Sequence, residues 1–131
     1  KNYDFKGKRV LLVEDNELNA EIAGEILQMA GFDIEYAKDG KQAVDIMTNI
    51  DDNYFSVIFM DIQMPVMNGY EAARAIRSLP GDYAKSVPII AMTANAFAED
   101  VAAAKNAGMN EHIAKPLDFG QLLKALRKWL V

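Results

Sequence analysis

The sequence has 131 residues, 51% of them hydrophobic and 25% charged, which is typical of a single folded globular domain and excludes a disordered tail. Cysteine is absent, which excludes disulfides and thiolate metal sites, and the net charge of -5 argues against binding to nucleic-acid phosphates. Because no apolar run approaches the length of about 20 residues that spans a bilayer, we expect a cytoplasmic segment with no membrane contact of its own.

The first half of the chain alternates short apolar runs with segments of helical spacing. Residues 9–15 are branched and apolar, which indicates a buried strand, and residues 16–31 follow a helix pattern that stops at Gly31. Residues 32–37 alternate apolar with polar side chains, as in a strand with one less buried face, and a second helix opens at Asp39. The first helix is predicted from apolar residues three or four positions apart, namely Leu18, Ile22, Ile26 and Met29.

The second half continues the alternation. Its predicted segments are a strand over 54–61, a helix over 70–79, a polar connection over 79–88, a strand over 87–94, a helix over 97–108, a strand over 111–115 and a last helix capped by Asp118. We expect the polar connection to be exposed. In the helix over 97–108 the large apolar residues are Phe97 and Val101, so we expect that helix to be only lightly anchored.

This alternation predicts an α/β fold with a parallel sheet, because strands separated by helices are joined by right-handed crossovers. The first, third and fourth strands are continuously apolar and should be central, whereas the mixed second strand and the brief fifth strand should lie at the edges. The predicted architecture is therefore a flavodoxin-like, doubly wound (βα)5 fold with a five-stranded sheet of order 2-1-3-4-5. In this arrangement ligands bind at the carboxyl ends of strands one and three.

Three carboxylates converge on that edge of the predicted sheet. The first strand ends in Glu14 and Asp15, and the third ends in Asp61. Two carboxylates about 4 Å apart repel by roughly 4 kcal/mol at an effective dielectric of about 20, so a cation is needed between them. Mg²⁺ prefers such oxygen ligands, and the trio predicts a magnesium site. The alternative is that Glu14 and Asp15 are solvated residues that cap the first helix.

Two further residues end strands at the same edge. Thr93 closes the fourth strand and Lys115 closes the fifth, and each on its own would be an ordinary surface residue. Beside three acids, they add a hydroxyl and a cation where anionic oxygens would gather. This set suits phosphoryl transfer onto an aspartate, in which a protein mainly positions groups and neutralises charge.

The segments "LLVEDNELN", "VIFMDIQMPVMNGYEA", "PIIAMTANAF" and "GMNEHIAKP" together resemble the receiver domains of two-component response regulators. The similarity is greatest to receivers at the C-terminal end of hybrid sensor histidine kinases, and it covers residues 8–131. Residues 1–7 are similar to the linker that precedes such a receiver, so the chain is expected to be a segment of a longer protein.

The resemblance implies a role for each acid in the predicted site. Asp61 is the expected phosphoacceptor, which takes a phosphoryl group from a phosphohistidine. Glu14 and Asp15 are the expected ligands of Mg²⁺, with Mn²⁺ as a substitute. Asp61 and the backbone carbonyl of Gln63 are expected to complete the protein ligands of the metal.

The resemblance also implies a conformational switch. The Thr93 hydroxyl is expected to move toward the phosphoryl group, and the Lys115 ammonium to pair with it. Lys115-Pro116 resembles the cis peptide of the family, and the small side chain of Ala94 would leave the approach to Asp61 open. The chain departs from the common pattern at His112, where many receivers carry a tyrosine or phenylalanine that swings inward, so the second half of the switch is in doubt.

The expected partners are a histidine kinase domain and a histidine phosphotransfer protein, with the chain itself a monomer. A receiver promotes its own phosphorylation and dephosphorylation but is not a conventional enzyme. The expected parent is a sensor histidine kinase, which can carry a membrane anchor.

Three alternatives stay open: a free-standing response regulator, a non-phosphorylated binding module such as a flavodoxin-like cofactor carrier, and a phosphatase with an aspartate nucleophile. The phosphatase is disfavoured because Gln63 stands where its general acid is needed, and the carrier because "EDN" replaces a phosphate-cradling loop.

Overall fold

The computed structural model describes residues 5–94 and 98–130. The strands are β1 (Arg9–Val13), β2 (Asp33–Ala37), β3 (Val57–Asp61), β4 (Ile89–Thr93) and β5 (Glu111–Ala114). The helices are α1 (Glu17–Met29), α2 (Gly40–Thr48), α3 (Gly69–Arg77), α4 (Asp82–Ser86), α5 (Ala98–Asn106) and α6 (Phe119–Leu130). None of the helices within these ranges is both long and apolar enough to cross a lipid bilayer.

The five strands form one parallel sheet in the order β2-β1-β3-β4-β5, which confirms the predicted architecture. Every residue of β3 and β4 is buried, as expected of central strands covered on both faces, whereas β2 is partly exposed. The register places the carboxyl ends of β1, β3 and β4 side by side, because Val13 pairs with Met60 and Asp61 pairs with Met92.

Successive residues of β1 pack into two separate cores. Val10 and Leu12 belong to the core that α1 and α6 cover, while Leu11 and Val13 belong to the core formed with α2, α3 and α5. This follows from the two-residue period of a strand, which sends alternate side chains to opposite faces. A continuous apolar run was therefore needed in β1, and the sequence supplies it.

The connection over 79–88, which we predicted to be polar and exposed, contains α4 and is partly buried. Tyr83 anchors it, because its hydroxyl accepts from the Phe55 N–H (2.8 Å) and donates to the Phe55 carbonyl (2.9 Å). Ala84 is buried, and its carbonyl accepts from Nη1 of Arg77 (3.1 Å). The predicted exposure holds for residues 80–82, 85 and 86, but the sequence did not indicate the five-residue helix, because these contacts rather than local propensity hold it in place.

The apolar spacing that predicted α1 does not mark the buried face of the helix. Leu18 and Met29 are 62% and 61% exposed, and the buried positions are Ala23, Gly24 and Leu27. Gly24 faces the Tyr36 hydroxyl, which leaves no room for a Cβ in this arrangement. Small residues therefore bring α1 against the sheet and leave large apolar side chains in solvent.

The segment before β1 packs onto the domain from residue 5 onward. The ring of Phe5 is 4% exposed and stacks on Phe32, with 5.2 Å between ring centroids. Its N–H donates to the Ala30 carbonyl at 3.3 Å. Phe97, expected to help anchor the helix over 97–108, lies outside the described residues, whereas Val101 is half-buried in α5.

Candidate functional site

The carboxyl ends of β1 and β3 bring three acidic side chains together. Glu14 and Asp15 follow β1, Asp61 ends β3, and one carboxylate oxygen from each lies within 4.8 Å of the others. Glu14 and Asp61 are each 5% exposed, whereas Asp15 is exposed at the rim. The parallel register of β1 and β3 produces this cluster, as the sequence predicted.

Lys115 joins the cluster from the end of β5. Its Nζ lies 2.8 Å from Oε1 of Glu14 and 3.1 Å from Oδ1 of Asp61, and its side chain is 23% exposed. One ammonium group therefore bridges the two buried carboxylates. Lys115 thus reaches Asp61 of β3 from the end of a strand that pairs with β4 and not with β3.

Burial and like charge both disfavour the ionised form of Asp61. Burial first and the neighbouring Glu14 carboxylate second raise the pKa of Asp61 from 3.8 to about 6, although the Lys115 ammonium acts in the opposite direction. Burial would by itself lower the pKa of Lys115, but its hydrogen bond to Glu14 and the charge of Asp61 raise that pKa overall. At neutral pH the ionised Asp61 carboxylate therefore lowers the stability of the folded domain, whereas Lys115 keeps its positive charge.

Thr93 lies at the end of β4, beside the acidic cluster. It is 8% exposed and pairs with Ala114 across the ladder, and its carbonyl accepts from the Lys115 N–H at 2.8 Å. The Lys115-Pro116 peptide bond is cis. The next residue, Ala94, is exposed and lines the same cleft.

These side chains form the floor of an open cleft of about 780 Å³. Gln63 lies on its wall, where the resemblance placed a metal-ligating carbonyl. Other polar residues of the wall, which were not predicted from the sequence, are Asn16, Asn19, Asn68, Tyr70 and Asp100. Asn16 and Asn68 carried a detectable signal, because each caps the helix that it precedes. Tyr70 and Asp100 carried none, since helix packing brings them to the cleft.

A glycine holds the loop after Asp61 close to the site. A Cβ on Gly69 would lie 2.5 Å from the Asp61 carbonyl oxygen and 2.9 Å from Cα of Ile62. The Gly69 N–H donates to the Ile62 carbonyl at 2.8 Å. The loop therefore folds back against the strand that carries Asp61, and α3 begins directly beside the cleft.

His112 lies apart from this site. It sits in the middle of β5 opposite Ala91 and is half-buried. It lines a separate groove between β5 and α6, together with Lys124 and Lys128. Thr93 and Lys115 belong to the cleft, so the predicted switch residues are divided between two surfaces.

The charges of the cluster fit a divalent cation. Three carboxylates contribute -3 and Lys115 contributes +1, which leaves -2 around one small volume. The ligand atoms are all hard oxygens, which Mg²⁺ prefers. Glu14, Asp15 and Asp61 could hold the ion, and the open cleft leaves room beside them for water and a phosphoryl group.

The amino-acid sequence is similar to parts of much longer histidine kinases. It is 40% identical over 123 residues to the peroxide stress-activated histidine kinase mak1 of Schizosaccharomyces pombe, a match over 92% of this chain and 7% of that protein. It is 38% identical to the hybrid signal transduction histidine kinase I of Dictyostelium discoideum, over 85% of this chain and 6% of that protein. The chain thus spans less than a tenth of these relatives.

Solved structures share the fold over nearly the whole chain. The receiver domain of a sensor histidine kinase from Pseudomonas aeruginosa PAO1, with a magnesium ion coordinated in its active-site cleft, is 37% identical with a TM-score of 0.84, covering 95% of this chain and 98% of that one. The receiver domain of Ssk1, in co-crystals with the histidine phosphotransfer protein Ypd1 of Saccharomyces cerevisiae, is 32% identical with a TM-score of 0.82, covering 97% and 91%.

The family model that describes the response regulator receiver domain matches residues 10–127, which include all three acids, Thr93 and Lys115. The match spans every strand from Val10 onward and most of α6. The chain therefore belongs to the response regulator receiver domain family.

Proposed function

We propose that this domain accepts a phosphoryl group from a phosphohistidine onto Asp61 and then relays it to another histidine or loses it to water. The observation that carries the proposal is the position of Asp61, a buried carboxylate on the floor of an open cleft with an ammonium 3.1 Å from its Oδ1. A carboxylate held in this way can act as a nucleophile whose product, an acyl phosphate, already has a cation beside it.

Glu14, Asp15 and Asp61 would hold Mg²⁺ through one oxygen each, and the backbone carbonyl of Gln63 would add a fourth protein ligand. Bound there, Mg²⁺ would supply positive charge to offset that of the phosphoryl oxygens. Mn²⁺, with the same preference for oxygen, is proposed as a substitute. The carboxylate trio and the open cleft support this assignment.

In the transfer step, a carboxylate oxygen of Asp61 attacks phosphorus. The new O–P bond forms as the N–P bond to the histidine breaks, and the electron pair of that bond returns to the imidazole, which takes up a proton. Lys115 already lies between Glu14 and Asp61, so its ammonium can pair with an incoming phosphoryl oxygen while keeping its contact with Glu14. Its raised pKa keeps it charged throughout the neutral range.

The Thr93 hydroxyl would donate to a phosphoryl oxygen and so report the phosphorylated state. Thr93 ends the strand next to β3 and is nearly buried, so a movement of its side chain would disturb the packing at the end of β4. His112, on β5, is proposed as the residue that responds to this movement. Its place in the β5–α6 groove would turn that response toward a surface away from the cleft.

The proposed partners are the catalytic domain of a histidine kinase and a histidine phosphotransfer protein, in the cytoplasm and with this domain as a monomer. The similarity to two histidine kinases and to a receiver co-crystallised with Ypd1 supports this context. The proposed parent is a hybrid sensor histidine kinase, because both of those relatives are histidine kinases many times longer than this chain.

Incubation with acetyl phosphate and Mg²⁺ tests the proposal. We expect intact-mass spectrometry to show one added phosphoryl group. The group should not appear when Mg²⁺ is chelated before labelling, and it should not appear in Asp61→Asn. Asp33→Asn is the matched control, because Asp33 is an exposed aspartate at the opposite end of β2 from the cleft. Labelling that persists in Asp61→Asn, or that needs no divalent ion, would contradict the assignment.

A further inference from the structure

The side chain of Arg77, the last residue of α3, joins three segments of the chain. Its Nε donates to the Gly108 carbonyl at 3.0 Å, its Nη1 to the Ala84 carbonyl at 3.1 Å and its Nη2 to Oδ1 of Asn110 at 2.9 Å. All three acceptors are neutral, and Arg77 makes no ion pair with any residue that the structure describes. The planar guanidinium, whose N–H donors point in fixed directions, suits a connection to several acceptors at once.

The turn between α5 and β5 packs against the stem of this arginine. Gly108 has a φ of +97°, and a Cβ there would lie 2.8 Å from Cγ of Arg77. The Gly108 N–H donates to the Lys105 carbonyl at 3.0 Å. The Met109 N–H donates to the Ala104 carbonyl at 2.9 Å, and the two bonds close α5 in a Schellman motif. The glycine therefore ends α5, and its own carbonyl accepts from the guanidinium.

Asn110 connects Arg77 to the point where β4 and β5 begin to pair. Its side-chain Oδ1 accepts from the Ile89 N–H at 2.8 Å as well as from the guanidinium, and its own N–H donates to the Ile89 carbonyl at 2.8 Å. Ile89 is the first residue of β4, and Asn110 directly precedes β5. The amide oxygen that β4 and Arg77 share therefore fixes where β5 starts.

The strand β5 has four residues and, within the described sheet, pairs with β4 alone. Asn110 holds its start, and the Lys115 N–H holds its end by donating to the Thr93 carbonyl at 2.8 Å. The Lys115 ammonium contacts Glu14 and Asp61, which lie at the ends of β1 and β3. A shift of this short edge strand would therefore move the ammonium, whereas the acids would keep their places on other strands.

We propose that Arg77 is a positioning residue for Lys115. By fixing the turn before β5 through Gly108 and Asn110, it sets the place of the strand and thereby keeps the Lys115 ammonium beside Asp61. Arg77 itself does not line the cleft. The inference rests on the proposed function, in which Lys115 pairs with a phosphoryl oxygen.

The test compares the rate of phosphorylation with the affinity for Mg²⁺. Arg77→Met keeps an unbranched stem beside Gly108 but removes every donor, and Arg74→Met is the matched control, because Arg74 is an exposed arginine on the same helix. The rate constant for labelling by acetyl phosphate is followed by intact-mass spectrometry in saturating Mg²⁺. The Kd for Mg²⁺ is measured by isothermal titration calorimetry.

We expect Arg77→Met to lower that rate constant by about tenfold, because the ammonium is no longer held where the phosphoryl oxygens arrive. It should weaken the binding of Mg²⁺ by no more than about twofold, since the acids lie on β1 and β3. In a Lys115→Ala background, Arg77→Met should cost less than about a further twofold, because the group that it positions is already gone. Arg74→Met should match the wild type in both measurements.

Variants of Asn110 test the same link without a change in α3. Asn110→Asp keeps both acceptor positions and gives Arg77 a charged partner, so labelling should stay within about twofold of the wild type. Asn110→Ala removes the shared oxygen and should lose about as much labelling as Arg77→Met. Urea midpoints establish that each variant is folded under the assay conditions.

Several results would overturn the inference. They are an unchanged labelling rate in Arg77→Met, an equal loss in Arg74→Met, a loss of Mg²⁺ affinity as large as the loss of rate, and an undiminished loss in the Lys115→Ala background. Asn110→Asp losing as much labelling as Asn110→Ala would have the same meaning. A wild-type chain that acetyl phosphate does not label would instead refute the proposed function itself, so the two failures are distinguishable.

Discussion

Asp61 is a carboxylate whose ionised form the folded domain disfavours. Its pKa is raised from 3.8 to about 6, first by burial and then by the Glu14 carboxylate, against the attraction of Lys115. The folded state therefore binds a proton more readily than the unfolded chain between those two pH values. By linkage, the stability falls as pH rises from about 4 to about 6, and the cost is fully present above that range.

This pH linkage predicts that Asp61→Asn stabilises the domain in the absence of divalent ions. At pH 7.5 in chelator we expect a free energy of unfolding higher by about 2 to 3 kcal/mol, which is the shift of the pKa expressed as energy. The gain should shrink toward zero as pH falls to 4, where the wild-type carboxyl is protonated in the folded state. Urea titrations at both pH values measure it.

Asp33→Asn serves as the control for that series. Asp33 is exposed at the start of β2, so its replacement should leave the free energy of unfolding close to that of the wild type at every pH from 4 to 7.5. If Asp61→Asn behaved like Asp33→Asn, or were less stable than the wild type at pH 7.5, the site would not confine a disfavoured charge.

Gly69 sets how closely helix α3 approaches β3, the strand that ends in Asp61. A Cβ at Gly69 would meet backbone atoms of Asp61 and Ile62 at 2.5 and 2.9 Å, and backbone cannot move aside as a flexible side chain can. We expect Gly69→Ala to lower the free energy of unfolding by about 1 to 3 kcal/mol, the usual range for overpacking. It should also slow labelling of Asp61 by acetyl phosphate, because the strand end has to shift.

Gly120→Ala is the corresponding control. Gly120 lies in the first turn of α6, and its nearest neighbour within the part of the chain described here would be a side-chain oxygen of Asp118 at 3.3 Å. The helix propensity of alanine should make this change neutral or stabilising by up to about 1 kcal/mol. Equal losses in both variants would show that the loop after Asp61 is not tightly packed.

Helix α5 differs from α3 in how it is attached to the sheet. α3 buries Ala72, Ala73 and Ile76, whereas α5, over the side chains that the structure describes, buries Ala104 and leaves Val101 half-buried. Less buried apolar area means a smaller free energy of local opening. We predict that amide hydrogens of residues 102–106 exchange faster than those of residues 73–77, measured by hydrogen–deuterium exchange. Equal protection in the two helices would contradict this.

The central strands and the acidic trio could be predicted from the sequence, because a parallel sheet buries continuous apolar runs and brings its strand ends together. Asp61 was found as the last residue of such a run. Other features depend on tertiary contacts that no local pattern records. α4 exists because Tyr83 bonds to the backbone of Phe55, and α1 turns small residues rather than its large apolar ones to the sheet.

Across the whole molecule, folding and the proposed binding of Mg²⁺ would depend on the same carboxylates. Without a divalent ion the folded state must hold Glu14, Asp15 and Asp61 near one another with Lys115 as the cation that contacts the two buried acids. With the proposed ion bound, the folded state should gain stability by mass action, because the unfolded chain does not hold the three oxygens in place. That gain is about 2.7 kcal/mol at a metal concentration 100 times Kd.

The effect of Asp15→Asn on the free energy of unfolding should therefore change sign when Mg²⁺ is added. In chelator we expect the variant to be more stable than the wild type, by less than about 1 kcal/mol, because it relieves repulsion at an exposed position where water screens charge. In saturating Mg²⁺ the wild type should become the more stable protein, since the variant has lost a ligand and gains little from the ion. Urea midpoints in both conditions measure this reversal.

A variant that is less stable than the wild type in chelator would mean that Asp15 does not crowd its neighbours. A variant that Mg²⁺ stabilises as much as the wild type would mean that Asp15 does not bind the ion. The site would then have to be built around Glu14 and Asp61 alone.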